Sequence, residues 1–417
     1  MNKRFETRRE GAFSAMQEDA ALVLYSGEAV PRSMDDCFPF EANHHFFYLT
    51  GLRRENMALV LRTTEGKRRA ALFIEEPLPR DERWTGRRVR KDEAKETSGI
   101  EDVRYLAELP AFLARCCSRE GIGTVYFDCY RDSMGAAEMY NLSMARRFRE
   151  QYPAVALKDA HPVVARLRMC KDETEIAEIK NAIAMTDQGL RRILSALRPG
   201  IKERSAQVEF EYAIRLAGAE DVAFPTIAGA GANACMLHYR ENGAWLGDGD
   251  LLLLDLGARS KGYCADISRT YPVSGRFSPR QREFYDLVLK ANRAVAAFAA
   301  PGRTLKELNE RCKEVLAEGM MKLGKIDKPE DIGTYYMHSV SHHLGIDTHD
   351  AAVDLSAPLR PGMVITDEPG LYVDEERIGI RIEDDLLITE EGCVVLSEDI
   401  ARDAEEIESI MARRGAL

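Results

Sequence analysis

Histidines and carboxylates crowd into the second half of this 417-residue chain with a spacing that suits divalent-metal chemistry. Four of the eight histidines, His338, His342, His343 and His349, fall within twelve residues. A lone histidine is usually structural, whereas so dense a cluster is more often a metal or proton-transfer site. Position alone leaves His342 and His343 equal as ligand candidates. Four leucines, Leu251 to Leu254, read as a buried strand that ends at Asp255. A carboxylate this near a core costs on the order of several kcal/mol unless something pairs with it. A metal is one such partner, and a turn cap before Gly257 is the competing reading. Asp266 follows eleven residues later, again in a strand-like stretch, Tyr263 to Thr270. The Gly257 to Gly262 segment between them predicts a hairpin that brings both carboxylates to one place. An Asp266–Arg269 ion pair is the alternative, and it leaves Asp255 alone.

Two further strings add acids. Val364-Ile365-Thr366-Asp367-Glu368 places them directly after a short apolar strand, and Pro369-Gly370 forces a turn there. In Gly379 to Asp385, strand alternation sets Arg381, Glu383 and Asp385 on one face. A solvated acidic turn is the plainer reading of Glu383-Asp384-Asp385. Two Asp, one His and two Glu make an oxygen-rich set suited to Mn²⁺, with Co²⁺, Zn²⁺ and Fe²⁺ also compatible. Five ligands are enough for two ions with bridging carboxylates, and metals about 3.5–4 Å apart can activate one water and polarise a carbonyl together.

The elements that must carry these residues are readable in outline. A chain this long predicts two domains. The first 160 or so residues alternate strand-like and helix-like segments, with buried strands at Ala20–Tyr25, Ala58–Leu61 and Val125–Phe127. The stretch from Arg80 to Lys95 is densely charged and reads as a surface excursion. From Asp172 the apolar positions follow helical spacing until Arg198-Pro199-Gly200 stops them. A second helix is expected from about Ser205 to Leu216. Ser278-Pro279-Arg280-Gln281 and Thr304-Leu305-Lys306-Glu307 read as capping boxes opening two more. Strands are expected at Leu251–Leu256, Gly379–Glu383, Leu386–Ile388 and Val394–Leu396. The second half is therefore α+β, a sheet covered by helices, and domains are expected at 1–165 and 166–417.

Composition narrows the class. Hydrophobic content of 45% and charged content of 30% fit an ordinary globular protein. A net charge of −11 argues against nucleic acid as a partner. No apolar run approaches the roughly 20 residues that span a bilayer, and the charged N-terminus lacks the apolar core of a secretory signal. Nine scattered cysteines without a Cys-x-x-Cys pair point to a reduced, cytoplasmic compartment.

Taken in order, these strings resemble the pita-bread metallopeptidases, and within them aminopeptidase P (Xaa-Pro aminopeptidase) and its relative prolidase. The match runs through Asp255, Lys261-Gly262-Tyr263, Asp266-Ile-Ser-Arg-Thr-Tyr-Pro, then His338-x-x-Ser-His342-x-x-Gly345-x-Asp347-x-His349-Asp350. It continues through Glu368-Pro369-Gly370-Leu371-Tyr372 and Arg381-Ile382-Glu383-Asp384-Asp385, covering roughly residues 174 to 400. Arg32-Ser33 and Asn43 through Phe47-Tyr48-Leu49-Thr50-Gly51 resemble the family's N-terminal α/β domain. The resemblance implies a C-terminal pita-bread catalytic domain and two divalent ions. It implies that Asp266 and Glu383 bridge the ions, that Asp255 serves one, and that His342 and Glu368 serve the other. His238 matches a histidine close to substrate, His338 and His349 match further active-site histidines, and Arg381 matches an arginine that orders the ligands. Glu368 doubles as a proton carrier in that reading. The implied substrates are peptides with proline at the second position, cleaved before the proline, and the implied assembly is a homodimer or homotetramer. Prolidase would use the same metals but accept only dipeptides; the N-terminal match favours the aminopeptidase. Methionine aminopeptidase shares the catalytic fold but normally lacks such a domain. All five ligands are present, which disfavours a non-catalytic binding protein. His343 stands where the family carries an aromatic residue, so a differently shaped pocket is expected.

Overall fold

The computed structural model describes residues 2–131, 133 and 139–413, in two compact units, Met1–Arg168 and Met169–Leu417. In the N-terminal unit the chain runs α1 (Asn2–Ala15), β1 (Ala20–Tyr25), α2 (His44–Thr50), β2 (Ala58–Thr64), β3 (Lys67–Ile74), α3 (Pro79–Thr85), α4 (Lys91–Ser98) and β4 (Asp102–Tyr105). It continues through α5 (Leu109–Arg119), β5 (Thr124–Phe127), α6 (Tyr140–Gln151), β6 (Ala156–Asp159) and α7 (His161–Arg168). The six strands form one sheet in the order β4-β3-β2-β1-β5-β6. β1 pairs antiparallel with β2 and parallel with β5. Its sequence, Ala-Ala-Leu-Val-Leu-Tyr, is buried along its whole length, as a central strand covered on both faces must be. Phe112 of α5 and Phe148 of α6 pack with Val23, Phe73 and Phe127 on one face. The charged stretch from Arg80 to Lys95 is exposed in its first half and half-buried in most of the rest, and it is largely helical: α3 and α4 are tied by Arg90 to Glu82, and Arg87 pairs with Glu93.

The C-terminal unit opens with α8 (Glu173–Ala196) and α9 (Glu203–Leu216), then β7 (Asp221–Val222), β8 (Ile227–Ala230), β9 (Leu251–Leu256), β10 (Ala258–Ser260), β11 (Tyr263–Cys264) and β12 (Ile267–Pro272). Two helices follow, α10 (Pro279–Phe298) and α11 (Leu305–Lys322). The chain then forms β13 (Val364–Asp367), β14 (Gly370–Val373), β15 (Ile378–Arg381), β16 (Asp384–Ile388), β17 (Cys393–Val395) and α12 (Ala404–Ala412). Asp172, Ser278 and Thr304 cap α8, α10 and α11, each in a reciprocal capping box. Short antiparallel sheets, β12-β9-β8, β13-β16-β17 and β14-β15, carry the acids.

Arg269 of β12 holds these sheets together from inside. Its guanidinium is fully buried and all of its N–H groups are used, donating to the carbonyls of Ser268, Glu383, Ile400 and Ala401 and to Asp384 Oδ1 at 2.7 Å. Asp384 also accepts from Ser397, Asn292 and Arg402, so every lone pair of this carboxylate is engaged. The alternative Asp266–Arg269 pair is thereby set aside, since Asp384 takes the arginine. Burial opposes ionisation of Asp384, yet Arg269 and Arg402 outweigh it and lower its proton affinity. Removing one partner of such a network is costly because the remaining charge stays buried. Arg269→Met is expected to destabilise the C-terminal unit by about 3 kcal/mol, the low end for a broken buried pair because Arg402 remains. Urea unfolding of the variant against the parent checks this, and a loss well under about 1 kcal/mol would contradict it.

Candidate metal centre

Backbone pairing builds the site. The segment 340–344 runs alongside β13 with hydrogen bonds at alternate residues: Leu344 N–H to Val364 O at 3.0 Å, Thr366 N–H to His342 O at 2.9 Å, and Glu368 N–H to Val340 O at 2.9 Å. That register sets His342 beside Glu368. Thr366 Oγ1 also accepts from His342 N at 3.0 Å. On the other side, β9 and β12 pair so that Asp255 faces Ser268. The chain between them passes so closely that a Cβ on Gly257 would lie 1.8 Å from Ala265 O, so only glycine lets Asp255 and Asp266 converge. Glu383 N–H donates to Ser268 O at 3.0 Å and brings the third acid against the same strand. The expected single strand from Gly379 through Glu383 is broken after Arg381, and Glu383 sits at the corner between β15 and β16.

The side chains gather accordingly. Ligand atoms of Asp266, His342 and Glu383 all lie within 4.8 Å of one another. His342 Nε2 is 3.4 Å from Asp266 Oδ2 and 3.5 Å from Glu368 Oε1. Its Nδ1 donates to His343 O at 3.1 Å, which leaves Nε2 aimed at the two carboxylates. His343 turns away: it is buried, near Lys171 and Asp350, and burial first and Lys171 second hold it down at about 4. Arg381 donates to Asp255 Oδ2 at 2.6 Å and to Ser268 Oγ at 2.8 Å, and Ser268 in turn donates to Glu383 Oε2 at 2.7 Å. Asp255 Oδ1 is buried with no hydrogen-bond partner among the described residues.

Arg381 also donates to Tyr372 Oη at 2.8 Å, so the tyrosine proton points to His338 Nε2 at 2.9 Å. His338 Nδ1 donates to Ser339 O at 2.8 Å and stands 3.7 Å from Glu368 Oε2. His349 lies against His342 with ring centres 4.1 Å apart. Burial, more than neighbouring charge, holds His338 and His349 at about 4, so both rings are neutral at neutral pH. His238 is exposed at the rim, within electrostatic reach of both. Ser268, Thr366 and Tyr372 are members that sequence reasoning missed. Alternation from Asp266 through Ser268 to Thr270 carries the signal for Ser268, and Tyr372 ends the Glu368-Pro369-Gly370-Leu371 string.

Burial raises Asp266, Glu383 and Glu368 above ordinary carboxylates; Asp255 raises all three further. One guanidinium faces four acids. An orphaned Asp255 oxygen, an imidazole nitrogen aimed at two carboxylates and an oxygen-rich donor set together fit divalent cations. A second group among the described residues, His45, Asp128 and His161 in the N-terminal unit, is also compact. Arg168 donates to His45 Nδ1 at 3.2 Å, so His45 Nε2 must carry the proton that it gives His161 Nδ1 at 3.0 Å. That nitrogen has no lone pair for a metal, and Arg168, His45 and His161 form a hydrogen-bonded chain.

Residues 177–390 match metallopeptidase family M24, and residues 5–126 match the aminopeptidase P N-terminal domain. The chain belongs to metallopeptidase family M24. Among M24 relatives, the Xaa-Pro aminopeptidase of Escherichia coli is 34% identical across 98% of this chain and 97% of its own length. That of Haemophilus influenzae is 32% identical across 98% and 96%. A solved chain from Bacillus anthracis superimposes at TM-score 0.97 with 39% identity, covering 99% of each. Escherichia coli aminopeptidase P with the inhibitor Pro-Leu superimposes at 0.90 with 32% identity, covering 100% of this chain and 99% of that one. The C-terminal unit thus has the pita-bread fold of the M24 family.

An M24 centre with this charge imbalance should be stabilised by its ions. Free Mn²⁺ at about a hundred times its dissociation constant is expected to add about 2.7 kcal/mol per site. Thermal melts of chelator-treated protein with and without Mn²⁺ check this; identical melting curves would contradict it.

Proposed function

We propose that this chain is an Xaa-Pro aminopeptidase that removes an N-terminal residue preceding proline. The convergence of Asp266, His342 and Glu383 on one point, with Asp255 and Glu368 beside them, carries the reading. Two nearly full-length relatives bear that name, and both units match the corresponding family domains. In this reading Asp255, Asp266, His342, Glu368 and Glu383 hold two divalent ions, with Mn²⁺ favoured by the oxygen-rich donor set. When bound, such ions supply an activated water and polarise the scissile carbonyl. Arg381 fixes Asp255 directly and Glu383 through Ser268, so neither carboxylate can swing away. Glu368 Oε2, beside neutral His338, carries the proton between water and leaving amine. His238 and His349 line the approach and hydrogen-bond the peptide around the proline, whose tertiary amide offers no N–H of its own. Nine free cysteines favour a reducing, cytoplasmic setting, and the family resemblance favours a homodimer or homotetramer. Among the described residues no helix is long and apolar enough to cross a membrane.

Two measurements test this. A Xaa-Pro-Xaa tripeptide should be cleaved before its proline; cleavage of Xaa-Pro dipeptides alone would identify a prolidase instead. Asp266→Ala should lose about a thousandfold or more in kcat, since each roughly 1.4 kcal/mol of lost transition-state stabilisation is a factor of ten and the ions supply several kcal/mol. Near-normal turnover of that variant with Mn²⁺ present would remove Asp266 from the site.

A further inference from the structure

Lys171 stands near the start of the C-terminal unit, yet its side chain runs inward. Its Nζ donates to Asp350 Oδ2 at 3.0 Å, and both side chains are 1% exposed. A pair so enclosed adds little net stability, because desolvation offsets most of the attraction. What it does supply is fixed geometry. Asp350 closes the loop that begins at His342: its N–H donates to His343 O at 2.8 Å, and its Oδ1 accepts from Asp347 N at 3.2 Å. The same His343 carbonyl accepts from His342 Nδ1 at 3.1 Å. One oxygen therefore links the backbone of Asp350 to the ring orientation of His342. His349, next to Asp350, rests its ring on that of His342. The loop folds tightly over the pair, since a Cβ on Gly345 would meet Asp350 Oδ2 at 2.5 Å and Lys171 Cε at 2.9 Å. Lys171 is itself anchored, its N–H donating to Gly362 O at 2.7 Å.

We propose that the buried Lys171–Asp350 pair is a positioning element of the metal centre, fixing the His342–Asp350 loop and, through the His343 carbonyl and His349, the orientation of the His342 imidazole. The proposal rests on His342 being a metal ligand. It is tested in the full-length enzyme with Lys171→Met, with Gly345→Ala, which keeps both charges but displaces the pair, and with the charge-keeping Lys171→Arg. Mn²⁺ affinity is measured by calorimetry on metal-stripped protein, and kcat and KM are measured separately on a Xaa-Pro tripeptide, well below each melting temperature. Lys171→Met and Gly345→Ala are expected to lose about ten- to hundredfold in Mn²⁺ affinity and kcat, as loss of a ligand-orienting contact does. KM should change much less, and Lys171→Arg should recover most of the loss. If Lys171→Met does not fold, Gly345→Ala carries the test. Variants that melt lower but keep Mn²⁺ affinity and kcat within about twofold of the parent would show a merely structural pair and overturn the proposal. A parent enzyme that neither binds Mn²⁺ nor cleaves the tripeptide would instead overturn the functional reading and this proposal with it.

Discussion

Asp266, Glu368 and Glu383 each hold a proton more tightly than an ordinary carboxylate, through burial and the charge of Asp255, and for Asp266 and Glu383 through that of Glu368 as well. Arg381 is the cation whose charge reaches all of them, and one guanidinium cannot balance four acids. Like charges at this spacing in a low-dielectric interior repel strongly unless protons or metal ions intervene. The C-terminal unit is arranged to keep the acids together despite that repulsion. Close strand pairing, the absent side chain at Gly257 and the fully bonded guanidinium of Arg269 all oppose their separation.

The constraint explains why adjacent acids differ so sharply. Asp384 is spent on Arg269 and Arg402 and stays ionised as a structural anchor. Glu383, one residue earlier, turns to the opposite side of the backbone and meets Ser268 and Asp266. Asp385 accepts the Asp266 N–H on one oxygen, and burial raises its proton affinity. Three consecutive carboxylates thus carry three roles, set by the break between β15 and β16 rather than by residue type. The histidines divide likewise: His342 is aimed at carboxylates, His338 is locked by Tyr372, and His343 is packed away. In the N-terminal unit, His45 and His161 mimic a metal site by proximity. Arg168 decides the tautomer, and with it that His45 Nε2 has no lone pair for an ion.

Local signals were legible in the sequence. Asp172, Ser278 and Thr304 announce their helices because a cap and its reciprocal acid or amide lie three residues apart, and no distant contact is needed. The leucine run of β9 and the all-apolar β1 were legible because continuous burial leaves no polar position to disguise them. The same locality marked Asp255 and Asp266 as charges that required partners. Whether Asp266 would turn to Arg269 depended on Asp384, 115 positions away from that arginine, and which of His342 and His343 would face the acids depended on a strand beyond the loop that follows them. The pairing of 340–344 with β13, the claim of Asp384 on Arg269 and the corner at Glu383 are all non-local. By itself the sequence therefore determined the elements, the inventory of ligating groups and the need to neutralise them. Only the tertiary structure decided which groups share a centre, because a side chain's direction follows from register and from competition for hydrogen bonds, and both are settled by strands distant in the chain.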